Sequence, residues 1–199
     1  VQNPVINITI MMLIIIGGLG FLTWDDIYEN KLKIRRYRMQ SKVILVTTFL
    51  LIVIPALFFF FVDFSNLSLG ERIQAALFQS VTPRTAGFNT VNLSLMSSSS
   101  LGVMILLMLI GGSPGSTAGG MKTTTFAVLL ANAAATFRKR DSAVLFGRRI
   151  DPNAVKTAAT ILIMYLALFF GGAIFISLYE GISLSLCLYE AASAVATVG

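Results

Sequence analysis

Between two apolar runs of helical character lies Ile110-Gly111-Gly112-Ser113-Pro114-Gly115-Ser116-Thr117-Ala118-Gly119-Gly120-Met121-Lys122, a stretch rich in Gly, Ser and Pro. The chain around it is 56% hydrophobic and 12% charged, with a mean hydropathy of +0.83. That is the composition of a membrane protein, not of a soluble domain. A bilayer core offers no water to exposed peptide groups. Irregular backbone at membrane depth therefore survives only when buried in protein or lining a wet cavity. A break of this kind points to a substrate path or a gate.

The charges are clustered. Lys31, Lys33, Arg35, Arg36, Arg38 and Lys42 form one basic group, and Arg138, Lys139, Arg140, Arg148, Arg149 and Lys156 a second. Together they hold most of the 15 Lys and Arg. The positive-inside rule makes both loops cytoplasmic, so the net charge of +6 is mainly a topology signal. No nucleic-acid-binding module accompanies the charge, and the expected surroundings are anionic headgroups. The single cysteine, Cys187, has no intrachain partner and reads as a small hydrophobe. The chain begins at Val1 without an initiator Met and stops at Gly199 inside a motif, so it reads as a piece of a longer protein.

The apolar pattern predicts an all-α, polytopic membrane protein. Residues 1–24 form one apolar span, with Trp24 as an interfacial aromatic, and 25–42 a basic loop. A spanning helix at 43–62 contains Pro55, which can kink it. A short helix follows at 70–81, then a loop at 82–92 and a discontinuous crossing at 95–137. A second basic loop covers 138–154. A further span at 155–178, a short helix at 183–195 and a second loop at 196–199 complete the chain.

This order contains a repeat. Gly87 and Gly199 are 112 residues apart, as are Val43 and Val155. Ile14-Ile15-Ile16-Gly17-Gly18 also echoes Met108-Leu109-Ile110-Gly111-Gly112. The frame is the end of one unit, one complete unit and most of another, each built as outer helix, short helix, loop and inner helix. A short helix that returns through a Thr-x-Gly loop can aim backbone carbonyls into a pore, where they replace the hydration shell of a cation. Glycine permits the positive φ and close approach that this requires, and the carbonyl end of the short helix favours a cation near its tip. Two such triplets, Thr85-Ala86-Gly87 and Thr197-Val198-Gly199, at matched positions favour a filter over ordinary turns.

Gly115 to Thr123 narrowly misses the phosphate-binding P-loop, because Met121 separates the second glycine pair from Lys122 and no strand precedes it, so nucleotide binding there is rejected. The glycine-rich segment is either a small-residue contact that lets helices approach or a flexible obstruction beneath the filter. Lys122 is costly in a membrane unless it faces water or a carbonyl, which places it at the conduit or the inner boundary. Arg84 either braces the first loop or faces outer water. Glu190 and Gln79 either hold a neighbouring loop or cap and solvate a vestibule. No paired carboxylates, Ser/His/Asp set or metal-ligand cluster is present, and an enzyme is not expected.

Thr82-Pro83-Arg84-Thr85-Ala86-Gly87-Phe88-Asn89-Thr90 and Gly111 to Thr125 resemble the Ktr/Trk/HKT superfamily of potassium transporters, and Ile16-Gly17-Gly18-Leu19-Gly20-Phe21 is similar to the inner helix of its second repeat. The resemblance implies four channel-like repeats around one pore in the cell inner (plasma) membrane. Residues 1–24 would then end the second repeat, 43–137 form the third, and 155–199 begin the fourth. The potassium filter would include Thr85, Ala86, Gly87, Phe88, Thr197, Val198 and Gly199. The gate would be the loop Gly111 to Gly120 together with Lys122. It further implies a homodimer on a cytoplasmic, nucleotide-binding regulatory ring, potassium as the transported ion, sodium as an activator, and no cofactor in this chain. The rival readings are an alternating-access cation transporter, which also uses broken helices, and a membrane scaffold whose glycines serve packing.

Overall fold

The computed structural model describes residues 3–31, 33–93 and 96–199. Eight helices carry the architecture of these residues: α1 (Pro4–Gly18), α2 (Phe21–Asn30), α3 (Met39–Val62), α4 (Leu69–Val81), α5 (Ser98–Ile110), α6 (Thr123–Phe137), α7 (Pro152–Glu180) and α8 (Leu184–Val195). A strand pair, β1 (Val144–Leu145) and β2 (Arg148–Arg149), lies between α6 and α7. Two helices, α3 and α7, are long and apolar enough to cross a membrane, and a third crossing results if the bent pair α1 and α2 counts as one. The helical, apolar class expected of the sequence is the class observed.

Three boundaries correct the sequence reading. The first span ends at Gly18 rather than at Trp24. There the chain turns by 95° into α2, which occupies ground assigned to a loop. The turn forms because Gly20 takes a φ of +83°, open to glycine at little cost. Trp24 is accordingly no simple interfacial anchor, because its Nε1 donates to the Ile16 carbonyl (3.0 Å) at the open end of α1. Second, the basic stretch 138–154 is not all loop. It folds into the β1–β2 hairpin, whose neighbours Ala143 and Ile150 bury against Ala135 of α6. Third, α3 and α7 begin before the apolar runs, at Met39 and Pro152. The Asp151 side chain caps α7 by accepting from Asn153 N (2.9 Å), with Pro152 in the first turn where its missing N–H costs nothing. Of the reading at 95–137, Leu95 lies outside the described residues, as do Val1 and Gln2 of 1–24 and Leu32 of 25–42; the helix starts at Ser98.

The end of α3 near Val62 is tied to α4 and α5 by side chains. Asp63, just past α3, accepts from Ser97 N (3.0 Å) at the start of α5. Arg72 of α4 donates to Phe60 O (2.7 Å) and stacks over the Phe60 ring at 3.9 Å. The main core gathers Phe59 of α3, Met104 and Met108 of α5, Phe169 and Ala173 of α7 and Ala192 of α8. Small residues line the α7–α8 contact, with Ala173, Ala191, Ala192 and Ala196 buried. This matters in a bilayer, where lipid tails are as apolar as side chains and close packing supplies the association energy. Cys187 is buried in the same cluster.

Candidate functional site

Two short helices, α4 and α8, each run into a Thr-x-Gly loop, and the fold brings the two loops together. Thr85 and Gly87 take φ of +62° and +70°, and Thr197 and Gly199 take +57° and +98°. A non-glycine residue there is costly, because Cβ crowds the backbone. Two of the six non-glycine residues with positive φ among the described residues are these matched threonines. The internal repeat is thus a repeat of backbone conformation. Alternating the sign of φ turns successive carbonyls towards one side, as a carbonyl-lined path needs.

The loops also touch. A Cβ placed on Gly87 would strike the Val198 carbonyl oxygen and lie 3.2 Å from its carbon and 3.3 Å from Gly199 O. Each loop is pinned by a hydroxyl near the end of its own short helix. Thr82 Oγ1 donates to Phe88 O (2.6 Å), and Ser193 Oγ donates to Gly199 O (3.2 Å). Thr82 and Ser193 were not singled out in the sequence. Their signal was available, because each stands at the junction of a short helix and a Thr-x-Gly triplet. A cavity of about 130 Å³ lies between the loops, bounded by Gly87, Val198, Gly199 and Glu190, with Met104 and Met108 of α5 also in its wall. Phe88 is exposed, and Ala86 is half-buried.

The glycine-rich segment fills the break between α5 and α6. These helices have 13 and 15 residues; at ~1.5 Å per residue neither crosses a core of ~30 Å alone. The segment folds back on itself. Met121 N and Lys122 N donate to Leu109 O and Ile110 O (both 2.9 Å), and Thr123 N donates to Gly112 O (2.9 Å). The open carbonyls of α5 are therefore satisfied by the returning chain. Gly111 and Gly120 make this possible, because a Cβ on Gly120 would lie 2.6 Å from the Gly111 Cα. Lys122, at φ +85°, bends back so that its Nζ donates to the Ala118 carbonyl. Ser113 is fully buried, and its Oγ accepts from Thr123 Oγ1 (3.1 Å).

This segment has two neighbours. On one side Gly119 packs beneath the second loop, where an added Cβ would meet Ala196 O at 2.6 Å and Thr197 Oγ1 closer still. On the other side its tip is bonded to the α1–α2 elbow. Ser113 N donates to Gly18 O (3.0 Å), Phe21 N to Gly115 O (3.1 Å), and Thr117 Oγ1 to Gly17 O (3.4 Å). Helix α1 thus ends on Gly17-Gly18 and α5 just before Gly111-Gly112, and the two ends meet.

Arg84 is buried rather than facing water, and its Nη2 donates to Thr48 Oγ1 of α3 (3.1 Å), a hydroxyl rather than a backbone carbonyl. Gln79 is also fully buried, and its Nε2 contacts Met104 Sδ (3.1 Å). Glu190 is exposed and is the one carboxylate bounding the cavity between the loops. Among the described residues no group of three or more His, Cys, Asp or Glu side chains could hold a metal ion.

The family model described as "TrkH: Cation transport protein" matches residues 1–199. The chain is 36% identical to the potassium/sodium uptake protein NtpJ of Enterococcus hirae, over 99% of this chain and 46% of that one. It is 33% identical to the Ktr system potassium uptake protein B of Bacillus subtilis, over 100% of this chain and 46% of that one. It thus spans less than half the length of these relatives. The fold is that of the potassium transporter TrkH from Vibrio parahaemolyticus, with a TM-score of 0.80 at 19% identity over 99% of this chain and 44% of that one. The helical architecture, the whole-chain match and the relatives agree: this chain belongs to the TrkH family of cation transport proteins.

Proposed function

We propose that this chain supplies two of the filter segments and the gate of a potassium uptake pathway. The observation that carries the reading is the contact of Gly87 with Val198 and Gly199, with both Thr-x-Gly loops in the same alternating conformation. Carbonyls of Thr85, Ala86, Gly87, Thr197, Val198 and Gly199 replace the water shell of the ion, and Phe88 follows the first triplet at its exposed end. Potassium fits such oxygens because the exchange of water for carbonyl costs it little. The remaining filter positions come from the rest of the transporter.

Beneath this site the segment Gly111 to Gly120, with Lys122 folded onto it, blocks the path. Its closeness to Thr197 supports that role, and so do its own hydrogen bonds, which make it a compact unit able to move as one. Opening breaks its bonds to the α1–α2 elbow. Control comes from a cytoplasmic, nucleotide-binding ring of partner subunits acting on a homodimer, with sodium as an activator. The relatives' designation as members of a Ktr system fits a multi-component assembly.

The test is uptake of rubidium and sodium into proteoliposomes carrying the complete transporter. Gly87→Ser is expected to admit sodium, and deletion of Gly120 to raise rubidium flux. Unchanged flux and ion preference in both would make these glycines packing residues and end the filter and gate assignments.

A further inference from the structure

We propose that the basic end of α3 carries a binding site for one anionic phospholipid, with its headgroup on Arg35 and Lys42 and an acyl chain in the groove between α3, α6 and the β1–β2 hairpin. The site stands apart from the filter and gate, and its test does not need them.

Two adjoining cavities form it. The larger, about 420 Å³, runs along α3 past Val43, Val46, Leu50 and Ile54 and is closed on its far side by Phe126 and Leu130 of α6. The second, about 390 Å³, is bounded by Ile34, Arg35, Lys42 and Leu45. Val46 and Phe146 belong to both, so the two are continuous. Val43 to Ile54 covers about 16 Å of helix, roughly one leaflet of a ~30 Å core.

Charge decides the occupant. No acidic residue bounds either cavity. Among the described residues the ion pairs of this region join Arg38 to Asp25 and Asp26, leaving Arg35 and Lys42 without a carboxylate. Lys42 Nζ donates to the Arg35 backbone carbonyl (2.8 Å), which holds the ammonium beside residue 35 with donors to spare, and both residues bound the same cavity. By the positive-inside rule this end faces the cytoplasmic leaflet, where anionic lipids gather at basic residues.

Phe146 is the independent sign that the groove is built. It sits at the hairpin tip with φ +49°, beside Gly147 at +76°. Positive φ at both central residues is the type I′ pattern, which strongly favours Asn, Asp or Gly. A bulky side chain there is strained, and such outliers persist where the surroundings use them. This one is half-exposed to solvent and forms a wall of both cavities.

The experiment takes the complete transporter, delipidated in detergent and titrated with phosphatidylglycerol or phosphatidylethanolamine of identical chains, with bound lipid counted by native mass spectrometry. Phosphatidylglycerol is expected to be retained in preference. The double variant Arg35→Gln/Lys42→Gln is expected to weaken it about fivefold per side chain removed, leaving phosphatidylethanolamine unchanged. Val46→Trp, which fills the groove, and Phe146→Ala, which unroofs it, are expected to lower retention with the charges intact. Phe146→Ala keeps the Cβ and the backbone conformation of the turn while removing the ring, so it keeps the test open if Val46→Trp does not fold. Equal retention of the two lipids, full retention by the double variant, or full retention by both groove variants overturns the proposal. So does efficient cross-linking of Val46→Cys to a second copy or another protein segment, since the groove would then hold protein.

Discussion

Gly119 of the glycine-rich segment lies directly against Thr197 and Ala196 of the second Thr-x-Gly loop, with no room for a single added carbon. The obstruction and the ion-binding loop proposed above are thus in van der Waals contact. Forcing a methyl into such a contact costs about 1–3 kcal/mol when the neighbours must shift. Gly119→Ala in the complete transporter is therefore expected to push the segment off the loop and raise basal rubidium flux severalfold. Proteoliposome uptake measures it, and flux at or below the wild-type level would mean that the contact does not hold the path closed.

Gly87 answers to two constraints at once, its φ of +70° and the Val198 carbonyl beside it. Gly87→Ala adds backbone strain of about 1 kcal/mol or more to the overlap. Both loops should be displaced, because the overlap falls on the neighbouring one. Rubidium uptake is expected to fall at least tenfold while the protein still inserts, and potassium should lose its protection against thermal unfolding. Equal protection by potassium and choline in the wild type would remove the ion site itself.

The elbow between α1 and α2 should matter to the gate through its bonds to the glycine-rich segment. Gly20, at φ +83°, would bring a Cβ against Pro114 O and within 3.4 Å of Gly115 C. Gly20→Ala is expected to break the Phe21–Gly115 bond and to change flux through the segment it holds. Gly102→Ala is the control, because nothing lies within 4 Å of a Cβ there. Equal flux in the two variants would show that the elbow is only a support.

Asp26 is buried at the joint of α2 and α3. It accepts from Arg38 N (3.0 Å) and Ser41 Oγ and pairs with Arg38 Nε (3.5 Å). Removing it leaves the buried Ser41 hydroxyl and the part-buried Arg38 N–H without this acceptor, at about 1–3 kcal/mol. Asp26→Ala is expected to lower the unfolding midpoint in detergent clearly. Asp26→Asn should lower it less, since one acceptor oxygen remains.

Much of this fold is legible in the amino-acid order because the bilayer limits the choices. A span of about 20 apolar residues has few alternatives to a helix, and α3 and α7 follow from composition. The 112-residue period likewise marks the two Thr-x-Gly loops before any coordinate does. Glycine supplies one of the two positive φ values in each loop at little cost, and a threonine supplies the other.

Tertiary structure alone decided what those elements meet. Sequence periodicity reports one helix against an average apolar environment, and inside lipid every face looks alike. Gly17, Gly18 and Gly20 read as part of a continuous span, and only the bonds of Gly17, Gly18 and Phe21 to Thr117, Ser113 and Gly115 show why the helix stops there. Arg84 could equally have faced water or carbonyls; Thr48, 36 residues away, claimed it. The charge and the glycines were visible in the chain. Their partners were not, because a long-range contact depends on how helices cross, and that is settled by packing between elements far apart in sequence.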